Sequence, residues 1–142
     1  MRVLGLDVGE RRIGVAVSDP LGLTAQRLTV LERSGERADV EAICALIDQH
    51  DVSSVVVGLP LTMRGAHGPQ AQRVTSFAQA LRRQSAVPVE LVDERLTTVQ
   101  GEHMLLSTDT SRRRRKQVID QVAAQLILQH YLETQRGKAE RP

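Results

Sequence analysis

The 142-residue chain predicts an α/β fold, a mixed sheet flanked by helices. Three observations lead there. Two apolar runs near the start are separated only by the short stretch GERR, which suits an antiparallel hairpin. Beyond residue 34 the spacing of apolar residues alternates between helix-like and strand-like stretches. In the first strand-like stretch Val3, Leu4, Leu6 and Val8 also make an almost unbroken apolar run, the mark of a strand covered on both faces.

The hairpin strands are predicted over 2–8 and 13–18, with Gly9 supplying backbone freedom at the turn, and a third strand over 24–32. Ser34 is the predicted cap of a helix in which Val40, Ile43, Cys44 and Ile47 fall at the spacing of one buried face. SSVVVGLP reads as a buried strand rich in β-branched residues, ended by Gly58 and Pro60. After a loop, Val74, Phe77, Ala78 and Leu81 repeat the helical spacing, and VPVELVDE is the fifth strand. Thr97 or Thr98 would cap a helix near 98–106, and a longer helix is predicted from about 115 to 135. One domain over 1–135 follows, with residues 136–142 expected to be disordered because they have nothing to bury.

Composition narrows the function. The chain is 41% hydrophobic and 25% charged, with no tract long enough to span a bilayer. Asp7, Glu10, Arg11 and Arg12 interrupt the first apolar stretch as no signal peptide would, so a cytoplasmic protein is expected. Cys44, the single cysteine, excludes an internal disulfide and suits plain packing. Net charge is only +2, but five of the 19 basic residues are consecutive: Arg112, Arg113, Arg114, Arg115 and Lys116. Such a run is either a solvated loop or a phosphate-contacting patch. Phe77 and Tyr131 are the only aromatic residues, which argues against proteins that stack successive bases on aromatic platforms.

Asp7 is the anomaly. An ionised carboxylate inside an apolar strand must neutralise, find a partner or coordinate a metal. Glu94 follows the strand VELVD, at the carboxyl edge where α/β sheets gather reactive groups. Asp120 opens an otherwise apolar helical stretch. Taken singly, Asp120 could answer the helix dipole and Glu94 could pair with Arg95 or Arg112. Together with Asp7 they make a cluster whose self-repulsion a divalent cation relieves, and Mg²⁺ or Mn²⁺ prefers such oxygen ligands. Two ions about 3.5–4 Å apart would suit phosphodiester hydrolysis. The loop GLPLTMRGAHGPQ could cradle a phosphate but has the spacing of neither a P-loop nor a dinucleotide fingerprint.

The segments GLDVGERRIGVAVSD, VVVGLPLTMRGAHGPQAQRVTSFAQAL, VELVDERLTTVQGEHML and RRKQVIDQVAAQLILQHYL, in this order over residues 2–133, resemble the YqgF/RuvX family. That family is described as pre-16S rRNA nucleases and as Holliday-junction-resolvase-like proteins of the RNase H-like superfamily. The resemblance implies an RNase H-like fold, a mixed five-stranded sheet whose second strand is antiparallel, with helices on its flanks. It implies catalytic, metal-binding acids at Asp7, Glu94 and Asp120, and cleavage leaving 5′-phosphate and 3′-hydroxyl ends. Several positions depart from the pattern. Asp120 is followed by Gln121 and Gln125 where many RNase H-like nucleases carry a fourth acid, and Arg64 stands where the family often has a polar or acidic residue.

The expected activity is therefore metal-dependent hydrolysis of structured nucleic acid, with the 5′ end of pre-16S rRNA as substrate and ribosomal precursor particles as partners. A four-way DNA junction is the alternative substrate, and a catalytically silent RNA-binding assembly factor the alternative class. Arg12, Arg64 and the 112–116 run are candidates for backbone phosphate contacts, which position a substrate without reading its sequence. No membrane partner is expected, and the chain is expected to be a monomer or a homodimer. Asp7 and Gly9 also resemble the first phosphate loop of actin-like ATPases and sugar kinases, but those close two such domains around a nucleotide.

Overall fold

The computed structural model describes residues 1–60, 68–93 and 112–140, the last segment with side chains over 119–137. Five strands form one sheet: β1 (Arg2–Val8), β2 (Arg12–Ser18), β3 (Ala25–Glu32), β4 (Val52–Leu59) and β5 (Val89–Asp93), in the order β3-β2-β1-β4-β5. β2 runs antiparallel to both β1 and β3, whereas β4 is parallel to β1 and β5. The described helices are α1 (Glu36–Gln49), α2 (Pro69–Gln84) and α3 (Arg112–Glu140).

The pleat sorts side chains by face. Leu4, Leu6 and Val8 of β1, Ile13, Val15 and Val17 of β2, and Val55 and Val57 of β4 point to one side, where Val40, Ile43, Phe77 and Leu81 of α1 and α2 cover them. Cys44 packs against the edge of this core, and burial pushes its thiol above the usual range. On the other side Ala16, Ala25 and Val56 meet Ala124, Ile127, Leu128 and Leu132 of α3.

That second face is built from small residues. A Cβ placed on Gly5 would lie 2.8 Å from the Leu128 Cβ, and one on Gly14 would collide with the Asp120 carbonyl group. Glycine inside a strand commonly marks such a close backbone approach. α3 can therefore lie directly on the hairpin strands.

Three boundaries differ from the sequence reading. Ser34 is not the cap of α1: Gly35 holds that position at φ 117°, a conformation that favours glycine. The cap is built backwards instead, with Asp39 accepting the Ser34 N–H at 2.9 Å on Oδ1 and the Arg33 Nε–H at 2.8 Å on Oδ2. α3 begins at Arg112, so the basic run is helical backbone rather than a loop before the helix. The same helix continues to Glu140, through residues expected to be disordered; Arg, Lys, Ala and Glu are strong helix formers, and Gly137 costs only about 1 kcal/mol against them. The helix predicted near 98–106, with its cap at Thr97 or Thr98, lies outside the described residues.

Candidate active site

β1 carries Asp7 toward its carboxyl end, half-buried and directly opposite Gly14 of β2. Directly opposed residues of an antiparallel pair project to the same face. On that face a Cβ at Gly14 would stand only 3.2 Å from the Asp120 Cα. Asp7 and Asp120, far apart in sequence, are thus brought to one spot on the α3 side of the sheet. The missing side chain at Gly14 makes this possible.

Asp120 does not stand alone. Arg12, the first residue of β2, donates its Nε–H to Asp120 Oδ2 at 3.1 Å, with both side chains mostly covered. The guanidinium also lies 4.0 Å from Glu32, its cross-strand partner on β3. Burial pushes the Asp120 carboxyl above its ordinary value, and the Arg12 hydrogen bond and charge offset only part of that rise.

The turn after Asp7 is clasped from the opposite side. Gln70 of α2 donates to the Val8 carbonyl at 3.1 Å, Arg33 donates to the Gly9 carbonyl at 2.8 Å, and Arg73 pairs with Glu10 at 2.8 Å. Within the turn the Gly9 N–H donates to the Arg12 carbonyl at 2.8 Å, so the backbone between Asp7 and Arg12 is tied at each end. An open cavity of about 550 Å³ borders this turn, between Glu10, Arg33, Gln70 and Arg73.

The predicted site residues separate accordingly. Asp7 and Asp120 are brought together, and Arg12 joins them as the partner of Asp120 rather than standing on an open surface. The chain leaves β5 at Asp93, the residue before Glu94; Glu94 and Arg64 lie outside the described residues. Arg112, Arg113, Arg114, Arg115 and Lys116 form the opening turns of α3, upstream of Asp120 on the same helix. Among the described residues no three His, Cys, Asp or Glu side chains gather as a metal cage. The two acids that do converge supply hard oxygen donors on a face kept clear of side-chain bulk by Gly14, which fits Mg²⁺ or Mn²⁺. Sequence reasoning missed Gly14 and the Arg12–Asp120 bond. The glycine inside the apolar strand IGVAV was the available signal.

Known proteins resemble this chain in sequence and fold. A family model described as RuvX, Holliday junction resolvase, covers residues 1–134. A relative from Moorella thermoacetica, which carries the provisional name pre-16S rRNA nuclease, is 54% identical over 133 residues, spanning 94% of this chain and 95% of its own. One from Myxococcus xanthus with the same provisional name is 52% identical over 136 residues, spanning 96% of this chain and 90% of its own. Among solved structures, Thermus thermophilus RuvC in complex with a Holliday junction substrate superposes with a TM-score of 0.63 at 18% identity, covering 96% of each chain. The fold is thus RNase H-like, as the mixed sheet order already indicated. No described helix is long and apolar enough to cross a membrane. On the family match and the identity to these relatives, this chain belongs to the RuvX family of nucleases.

Proposed function

We propose that the chain is a divalent-metal-dependent nuclease that hydrolyses phosphodiester bonds in structured nucleic acid, with the 5′ end of pre-16S rRNA as its substrate. The observation that supports this most is the convergence of Asp7 and Asp120 on the α3 face across Gly14. Two ionised carboxylates directed to one patch of a covered face are costly unless a cation or a proton intervenes. Asp7 and Asp120, with Glu94 as the third acid, would hold Mg²⁺ or Mn²⁺. When bound, such an ion polarises the phosphate and activates the attacking water.

The chain's own residues do the positioning. β1 and its register with β2 aim Asp7, and Gly14 admits the turn of α3 that bears Asp120. Arg12 orients the Asp120 carboxylate. Gln70 and Arg33 hold the carbonyls that follow Asp7, which keeps the end of β1 from shifting under charge. Arg64 and the 112–116 run would supply backbone phosphate contacts, the kind that fix register without reading bases.

The choice of ribosomal RNA rests on the provisional names of the relatives. The description of the family model favours a second reading, a four-way DNA junction in recombination or repair. Symmetric cleavage of a junction would call for a homodimer with two sites related by a two-fold axis, whereas trimming one RNA end needs only a monomer. Purified protein incubated with a 16S precursor carrying its 5′ leader, and separately with a four-way junction, decides between them. Mn²⁺- or Mg²⁺-dependent shortening of the RNA to a 5′-phosphate end is expected. Cleavage of the junction alone would transfer the function to DNA, and binding without cleavage of either would indicate an assembly factor. Equal cleavage in EDTA would remove the metal from the reading.

A further inference from the structure

We infer that Arg12 couples metal binding to the arrival of substrate. Its guanidinium holds Asp120 while nucleic acid is absent and passes to a substrate phosphate when nucleic acid binds, leaving Asp120 to the cation. This rests on the proposed metal site at Asp7 and Asp120.

The local geometry supports an exchange of this kind. Arg12 Nε and Asp120 Oδ2 are 3.1 Å apart, and the side chains are 19% and 24% exposed, so the positive charge acts on this carboxylate with little screening by water. A cation approaching Asp120 must contend with that charge and with an oxygen already engaged. Among the described residues the remainder of the guanidinium has only a weak acidic contact. Its other acidic neighbour, Glu32, lies at 4.0 Å and is 67% exposed, a pairing that contributes little.

The backbone of Arg12 does not have to move, because its carbonyl is tied to Gly9 and its strand to Glu32 of β3. Only the side chain turns. A guanidinium donates to phosphate through two parallel bonds, better than through the single Nε bond it makes here. Exchange of Asp120 for a phosphate therefore replaces one charge-assisted contact by a stronger one. It also removes a competitor from the metal ligand at the moment the scissile bond is in place. Linkage makes the coupling reciprocal: substrate tightens the metal by the same factor that metal tightens substrate.

The test is a Mn²⁺ titration followed by electron paramagnetic resonance, with and without an uncleavable phosphorothioate RNA hairpin, corrected for Mn²⁺ bound by the RNA alone. Wild-type protein should gain Mn²⁺ affinity with RNA by a factor within the usual coupling range, about 5- to 150-fold. In Arg12→Gln, Mn²⁺ should bind more tightly without RNA, and the gain on adding RNA should fall to about twofold or less on the same scale. Arg12→Lys keeps the charge but loses the planar fork. Its Mn²⁺ affinity without RNA should stay near wild type while its gain with RNA drops, and it carries the test should Arg12→Gln fail to fold by circular dichroism. Wild-type coupling retained in both variants, or in Arg12→Lys alone if only that folds, would overturn the role of Arg12. Mn²⁺ binding that Asp120→Asn abolishes leaves the metal site standing in that event, whereas wild-type protein that binds no Mn²⁺ overturns the metal site and this coupling together.

Discussion

The two faces of the sheet are packed by opposite means. Under α1 and α2 the strands present leucine, isoleucine and valine, and the helices answer with Phe77, Leu81 and Ile43, a thick layer that excludes water by volume. Under α3 the strands present Gly5, Gly14 and Ala16, so the helix rests almost on the backbone. One face obtains its stability from what is there. The other obtains its chemistry from what is missing, because a side chain at position 14 would drive Asp120 away from Asp7. Stability and activity should therefore respond to different residues.

The largest contrast is between Asp7 and Phe77. Asp7→Asn should reduce metal-dependent cleavage by about 10³-fold, the scale of removing one preorganised electrostatic group, while the melting temperature holds or rises. Phe77→Ala should do the reverse, losing about 3–5 kcal/mol of stability with little change in rate per folded molecule. Single-turnover cleavage beside a thermal melt reads both. An Asp7→Asn protein that unfolds, or one that retains turnover within a few-fold, would make Asp7 a structural residue.

Next come two covered acids, one for each face. Asp39, 3% exposed, satisfies Arg33 and the start of α1, and removing one partner of such a buried pair costs about 3–5 kcal/mol. Asp39→Ala should show that loss in urea denaturation. Asp120→Asn keeps an oxygen for Arg12 and removes a charge that burial disfavours, so the metal-free protein should hold or gain stability while cleavage is lost. Equal destabilisation by the two substitutions would mean that Asp120 is as structural as Asp39.

A smaller effect separates the glycines. Gly14→Ala pushes into the Asp120 carbonyl, overlapping its oxygen and standing 2.5 Å from its carbon, whereas a Cβ at Gly5 meets the Leu128 Cβ at 2.8 Å and the Ala124 carbonyl oxygen at 3.2 Å, a milder overlap. Overpacking of this kind costs about 1–3 kcal/mol, and Gly14→Ala should fall near the top of that range and Gly5→Ala near the bottom. Cleavage by folded protein should fall in Gly14→Ala and survive in Gly5→Ala. The same assays on the two alanine variants give the answer.

Much of this was legible in the chain before any coordinates. Period and apolar runs located each described strand within a residue or two, and β1, β2 and β4, the most covered of them, leave the clearest apolar signal. Asp7 stood out against that signal, and Asp120 stood out at the head of its helix. That they would cluster was legible too, but the geometry that brings them to one face was not. It depends on register, which pairs Asp7 with Gly14, and on a helix docking over a residue whose importance is its lack of a side chain. The cap of α1 was misplaced for a similar reason: Ser34 has the right chemistry, but positive φ at Gly35 and a buried aspartate further along decide the turn. Arg12 read only as a candidate phosphate contact, because nothing in its neighbourhood of the sequence announces a partner 108 residues away.

The smallest effect distinguishes the faces by a proton. Burial raises the Asp120 pKa more than Arg12 lowers it, so in the metal-free protein this carboxyl holds its proton to a higher pH than it does in the unfolded chain. Between those two values the folded state binds more protons, and stability must fall as pH rises from the ordinary carboxylate value through the raised one. Asp120→Asn has no such proton to lose. The difference in urea midpoint between wild type and this variant should therefore drift against the wild type as pH rises from the ordinary carboxylate value through the raised one, and then level off. Asp19, on the turn between β2 and β3, works in the other direction. Its carboxylate accepts backbone N–H bonds, that of Thr24 foremost, so the stability it confers is lost as pH falls. Asp19→Asn should accordingly be less stable than wild type above the carboxylate range and converge with it as pH falls. Saturating Mn²⁺ should reverse the Asp120 drift, because a cation binds the ionised carboxylate and proton loss then favours the folded state. A wild-type profile parallel to that of Asp120→Asn, with and without Mn²⁺, would show that Asp120 neither resists ionisation on this face nor meets a metal there.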